Sequence, residues 1–417
     1  MPSVIEKLFQ MHTKEKVEVG NTIWIDIDLR TARDFAGAKV VENLIENYED
    51  NYIDDAGKTF FTFDCNAPAN TIGYANNQQI CREFARKNKI KVFDVNRGIG
   101  SHVVIEEGLA YPGITAVGTD SHFNILGAIG AFGQGMGDVD IAFVFKTGKI
   151  WFEVPPTVKV NFVGMPDGKW SAKDLALLCV KELKNKVLGK SIEFYGDILE
   201  KLSMAGRITL SSMVTEMGGI IGFIPPNKEV ISFCKKRSGK KIEPVYADKD
   251  ANYEMEIDID VSDLEPLIAL PGNPANVKRV SELPHIEINS VFIGSCTNGR
   301  VEDIVSVSKI IKGRKISENV MMKIVPATRE VWQELLEKGV IKELFSAGAI
   351  ISHAGCGGCA SGQIGMTGRG EVQVSTSNRN FKGKQGAGDT YLASPETAAV
   401  SSLLGYIGGI DEYEAER

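Results

Sequence analysis

Short runs rich in β-branched and aromatic residues recur along the chain: NTIWIDIDL (21–29), KTFFTFD (58–64), IKVFDV (90–95), KVNFVGM (159–165), NSVFIGS (289–295) and VMMKIVPA (320–327). Between them lie stretches of helical period. NNQQICREFARKN (76–88) and SAKDLALLCVKELKNK (171–186) carry apolar residues three and four apart, and Ser171 with Asp174 has capping-box spacing at a helix start. Alternation of this kind specifies an α/β fold, because each strand and each helix buries one face against the other. The sequence divides into expected units at 1–156, 157–284 and 285–417. The acidic region 246–265 reads as an extended, strand-poor connection into the last of them.

A chain of 417 residues with 43% hydrophobic and 24% charged content has enough apolar material for two or three cores. A net charge of −7 argues against a nucleic-acid surface, and KKRSGKK (235–241) reads as a solvated turn. The apolar runs are broken by glycine and too short for a membrane span, and the amino terminus lacks signal-peptide order, so a cytoplasmic protein is expected. Seven cysteines without framework spacing point to reduced thiols or metal ligands. Cys81 and Cys179 belong on buried helix faces, Cys234 reads as a partly exposed thiol, and His12 and His285 stand without partners at ligand spacing.

The 43 glycines cluster at 118–140, 217–226 and 354–370, where backbone must approach a neighbour or ligand closely. The first cluster lacks the strand, GxGxxG, helix order of a dinucleotide site. The last holds Cys356 and Cys359 as a Cys-x-x-Cys. Three readings are open from spacing: half a zinc site, a redox pair, or part of an iron–sulfur cluster completed by Cys296 in FIGSCTNGR. His353 lies three residues before Cys356.

The flanking residues bear on the choice. GSCTNGR (294–300), AGCGGCASGQIG (354–365), the stretch 375–399 beginning STSNRNFKGK, and the stretch 117–158 beginning VGTDSHFNILG resemble, in order, the motifs of the aconitase superfamily. The likeness is greatest to the large subunits of 3-isopropylmalate dehydratase and homoaconitase, and runs from VIEKLF (4–9) to AAVSSLLGYI (398–407). It implies a three-domain core around a [4Fe-4S] cluster held by Cys296, Cys356 and Cys359. It also implies proton handling by Asp64, Asp120 and His122, and carboxylate binding by Asn378 and Arg379, with Ser121 near substrate oxygen. The family's swivelling domain is expected as a separate small subunit supplying the base.

Departures from the family fall where it meets substrate. Its Asp-His reads Asp64-Cys65; its histidine in NRGIGSHVV aligns with Ser101, leaving His102 one residue late; its His-Asp reads Arg33-Asp34. Glu216 stands for asparagine, Ile220 for glutamate, and Lys384 for an arginine. Cys65 and His102 are therefore candidate catalytic residues, and Arg33 and Lys384 candidate carboxylate contacts. The resemblance implies a hydro-lyase acting on a hydroxy di- or tricarboxylic acid, 3-isopropylmalate first, then homoaconitate-like acids and methylated malates. The departures also open a second reading, sulfur transfer through an open iron that binds sulfide, and the resemblance a third, a non-enzymatic iron sensor, a role some single-chain relatives take.

Overall fold

The computed structural model of the chain describes residues 1–48, 53–359, 363–410 and 413; positions 360–362, directly after the Cys-x-x-Cys motif, lie outside the described residues. Three larger sheets organise it, beside a two-stranded antiparallel one of Thr22–Asp26 and Lys149–Glu153. The first has five parallel strands centred on Leu29–Arg33, which pairs with Thr59–Thr62 on one side and Thr115–Gly118 on the other. The second has four parallel strands, including Thr157–Val163 and Ser191–Tyr195. The third has seven strands, in which Ser290–Ile293 lies parallel to both Met321–Ile324 and Val372–Ser375.

Each β-rich run of the sequence contributes a strand. The acidic connection departs from expectation: Met255–Asp260 is an edge strand, parallel to Thr157–Val163 in register Met255 to Val158. Its alternation MEIDID buries only Ile259, so the acids face solvent and blunt an open edge. The seven-stranded sheet also takes in Leu267–Ala269 and Val277–Arg279, which precede residue 285.

Helices cover the sheets as the periodicity indicates. Ala172–Leu183 starts at Ser171, whose Oγ accepts from the Asp174 amide while the Asp174 carboxylate accepts from the Ser171 amide, closing a capping box. The 235–241 segment is the end of helix Lys228–Ser238 followed by Gly239, and Cys234 is buried there rather than exposed. Cys81 and Cys179 are core residues as expected. His12 is not alone: its Nε2 lies 2.7 Å from Asp28 Oδ2. His285 stacks on Tyr406. Among the described residues, no helix is long and apolar enough to cross a membrane.

Asp174 gives the fold a pH signature. Burial pushes its carboxyl up to about 7 despite hydrogen bonds from Leu267 and Ser171. The folded state thus retains a proton that the unfolded chain releases near its ordinary value, so this group's contribution to stability falls as pH rises from about 4 to 7. Asp174→Asn should gain on wild type in melting temperature as pH is raised from about 5 to 8. A pH-independent difference would contradict this.

Candidate active site

The parallel strands of the first and third sheets end facing one another, and the chemistry-bearing residues sit on the loops leaving those carboxyl ends, the usual place for a site in such sheets. Arg33 closes strand Leu29–Arg33, Asp64 and Cys65 follow Thr59–Thr62, and Asp120 to His122 follow Thr115–Gly118. From the third sheet, Cys296 follows Ser290–Ile293, Cys356 follows Ile350–Ile351, and Asn378 and Arg379 follow Val372–Ser375.

Between the two edges is a cavity of about 610 Å³. Cys296, Cys356 and Cys359 line it together with Asp120, Ser121 and His122. So do Arg33, Cys65, Arg379 and Lys384. Asp64, Asn378 and His102 are fully buried behind the wall. His353 is exposed and does not line the cavity.

Local backbone presents the thiols. Ser295, immediately before Cys296, has φ 74°, a strained conformation for a residue with a side chain, and its Oγ is tied to Thr297 Oγ1 at 2.8 Å. The Cys296 thiol lies 3.3 Å from Asn378 Oδ1 and 3.5 Å from Ser212 Oγ. Gly357, inside the Cys-x-x-Cys, has φ 57°, and a Cβ there would stand 2.7 Å from the Phe292 ring. That glycine lets the loop fold flat against the sheet, which explains the motif's composition. Behind it, fully buried Lys173 donates to the carbonyls of Thr376 (2.9 Å) and Ser377 (2.8 Å), bracing the loop that carries Asn378; burial pushes its pKa down to about 7.

Arg33 joins the two edges. Its Nε donates to Asp64 Oδ1 at 2.7 Å, Nη1 to Asp120 Oδ1 at 3.1 Å, and Nη2 to Cys356 Sγ at 2.6 Å. Three of its donor groups are thus spent on the protein, which fits a charge-compensating role better than a substrate anchor. Burial pushes the Asp64 carboxyl up to about 6 although Arg33 opposes the shift. Asp120 stays below the ordinary carboxylate range: burial acts against this, but Arg33 and His122 outweigh it.

Cys65 is held in place by its neighbour in sequence to Arg33. Asp34, fully buried, accepts from the amides of Asp64 (3.2 Å), Cys65 (2.9 Å) and Asn66 (3.1 Å) and from Gln78 Nε2 (3.1 Å). The Cys65 thiol, the Cys356 thiol and an Asp64 carboxylate oxygen all lie within 4.8 Å of one another. Asp34→Ala would strand three buried amides, costing roughly 3–5 kcal/mol in denaturant unfolding; a loss below about 1 kcal/mol would contradict the role given to Asp34.

His102 does not reach the cavity. Helix Gly100–Glu106 carries it, so the one-residue offset turns the ring by about 100° around the helix axis. Its Nδ1 accepts from Arg300 at 3.1 Å and its Nε2 reaches the Cys296 carbonyl at 3.0 Å. Burial, with Arg300 beside it, pushes its pKa down to about 3, so it is a neutral brace for the cysteine turn.

A description of the aconitase family (aconitate hydratase) matches residues 6–405. The chain belongs to the aconitase family. It is 40% identical over 410 residues to the 3-isopropylmalate dehydratase large subunit 1 of Methanopyrus kandleri, covering 97% of this chain and 98% of that protein. It is 41% identical over 387 residues to the probable methanogen homoaconitase large subunit of Methanosarcina mazei, covering 92% of this chain and 98% of that one. The crystal structure of Thermococcus kodakaraensis aconitase X in its holo form shares the fold at a TM-score of 0.51 and 13% identity, over 90% of this chain and 88% of that one. Among the described residues, four thiols line the cavity: Cys65 and the three motif cysteines Cys296, Cys356 and Cys359. The motif cysteines sit on glycine-rich or strained loops, two of them buried, and this donor set fits an iron–sulfur cluster of the kind members of the aconitase family generally bind.

Glu216 was flagged by the sequence only as a departure from the family. In the structure its Oε1 accepts from both His122 Nε2 (3.0 Å) and Arg379 Nε (2.6 Å). Arg300, which reaches the Cys296 turn through His102, and Lys173, which braces the loop that carries Asn378, gave no signal in the sequence.

Proposed function

We propose that the chain is the large subunit of a hydro-lyase that removes and readds water on a hydroxy di- or tricarboxylic acid. The observation that carries this is the meeting, in one cavity, of Cys296, Cys356 and Cys359 with Asp120, His122 and the cations Arg379 and Lys384. The cysteines would hold a [4Fe-4S] cluster, which when bound supplies a Lewis acid for a substrate hydroxyl. Arg379 and Lys384 receive carboxylates, Arg379 with a planar fork and Lys384 as a point charge. His122 and Asp120, hydrogen-bonded through the His122 amide at 3.0 Å, manage the proton at the hydroxyl. Asp64 acts one layer behind, through Arg33.

Relatives that this chain covers almost end to end are named large subunits. The reading therefore includes a small subunit that brings the swivelling domain and the base. 3-Isopropylmalate heads the substrates to try, followed by homoaconitate-like acids and methylated malates. Anaerobic reconstitution with the small subunit, followed by absorbance of the enoate, tests the proposal. Turnover of at least one such acid is expected; none on any, with iron fully loaded, would sink it.

One observation favours a second reading. The Cys65 thiol stands beside that of Cys356, at the position where the family resemblance leads to a histidine. With one iron left open, a thiol in place of that histidine favours sulfur transfer through the open iron; were Cys65 itself a fourth thiolate, it would instead close the cluster and remove the Lewis-acid site.

A further inference from the structure

Glu216 lies on the short helix Val214–Met217, which belongs to neither of the facing strand edges. Its side chain is only 10% exposed, and a single oxygen accepts from a proton-handling residue of the first sheet and a cation of the third. We infer that Glu216 is a positioning residue that locks His122 and Arg379 into one unit, fixing which imidazole nitrogen carries the proton and which edge of the guanidinium faces the substrate. The inference rests on the hydro-lyase reading for its catalytic consequence.

The atoms say how it acts. A carboxylate only accepts, so the nitrogen it faces, His122 Nε2, carries hydrogen. In the neutral ring Nδ1 is then the acceptor, on the side of Ser121 Oγ 3.5 Å away, and both Ser121 and His122 line the cavity. On Arg379 the carboxylate engages Nε, while Nη1 lies 3.5 Å from Ser121 Oγ and Nη2 has no hydrogen-bond partner among the described residues. The guanidinium is thereby turned so that its terminal nitrogens remain for an incoming carboxylate. Thr215 Oγ1 donates to the Ser121 carbonyl at 3.2 Å, tying the same short helix to the His122 loop. One acidic side chain thus couples the group that moves the proton to the group that binds the substrate.

The test uses the reconstituted complex for kinetics and the full-length chain for imidazole nitrogen NMR, with His122 assigned by loss of its signals in His122→Gln. Glu216→Gln retains an oxygen able to accept from both partners but removes the charge; Glu216→Ala removes the link. For Glu216→Ala the expected result is a His122 ring that shifts from the Nε2–H pattern to a tautomer mixture. kcat/KM should fall about a hundredfold through both KM and kcat, the scale of a misplaced catalytic group. Iron content should stay at the wild-type level. Glu216→Gln should keep the Nε2–H pattern and lose about tenfold in kcat/KM. Unchanged nitrogen shifts in Glu216→Ala, or kcat/KM within about twofold of wild type in either variant, would overturn the inference. Should Glu216→Ala fail to fold, Glu216→Gln decides by the same kinetic threshold. If the wild-type complex turns over no hydroxy acid, the hydro-lyase reading fails while the nitrogen shifts still decide what Glu216 does.

Discussion

Cys296→Ser should abolish iron loading and lower turnover by more than about a thousandfold, whereas Cys65→Ala should load iron like wild type. Cys296 follows Ser295, whose φ of 74° is strained for a residue with a side chain, and its sulfur lies against Asn378 Oδ1 and Ser212 Oγ. Burial pushes that thiol's pKa up, so it sits as an uncharged thiol unless something cationic draws off the proton. A serine oxygen is a harder and far more basic donor and does not replace it. Cys65 differs in its surroundings. It lies against Cys356 and Asp64, with Arg33 alongside, and burial and the neighbouring thiol push its pKa well up. Iron and sulfide analysis of the two purified variants checks the pair. Full loading in Cys296→Ser, or loss of iron in Cys65→Ala, would reverse the roles given to these residues.

The second large effect is expected at Arg379. Arg379→Ala removes a half-buried guanidinium from the cavity wall and leaves the Glu216 carboxylate with one partner instead of two. Breaking such a charge-assisted pair costs about 2–5 kcal/mol, so kcat/KM should fall by roughly 30- to 4,000-fold, with the larger part in KM. Arg379→Lys should recover little, because an ammonium cannot hold Glu216 through Nε and still present a planar edge to a carboxylate. Steady-state kinetics across the hydroxy-acid panel measures this. A variant with unchanged KM for every acid would mean that Arg379 serves the fold and leaves substrate binding to Lys384.

The strands, the capped helix Ala172–Leu183 and the cavity cysteines were legible in sequence because each is local: a period, a cap or a short motif fixes it. Cys356 and Cys359, Asp120 to His122, Arg379 and Lys384 line one cavity. What could not be read was who pairs with whom across the joint. Arg33 meets Cys356 across 323 residues of chain and Glu216 meets Arg379 across 163, distances over which no periodicity carries information. His102 shows the same limit at short range. Its identity and spacing suggested a displaced catalytic histidine, but only the helix direction reveals that the ring turns toward Arg300 and the Cys296 carbonyl. Asp34 looked like half of a family pair, and its work is to gather three amides of the Cys65 loop.

Those pairings sharpen what the substitutions imply. At position 65, where the family resemblance leads to a histidine, the space holds a thiol beside that of Cys356. The glutamate absent at Ile220 has a counterpart in Glu216, four residues earlier, which reaches His122 from the end of the same segment. The site thus carries a thiol on its Cys65 side and an acid–imidazole link on its Glu216 side, and the proposed dehydration chemistry rests on an iron that Cys65 leaves open.

The most direct test of that claim is the lability of one iron. The reconstituted protein is mildly oxidised without oxygen excess and followed by EPR, with Cys65→Ala in parallel. The account predicts a three-iron signal in the wild-type protein that disappears when ferrous iron is added back, as expected of a cluster held by only Cys296, Cys356 and Cys359. A wild-type cluster that keeps all its iron, while the Cys65→Ala cluster loses one, would show Cys65 to be a fourth ligand and would contradict the hydro-lyase assignment.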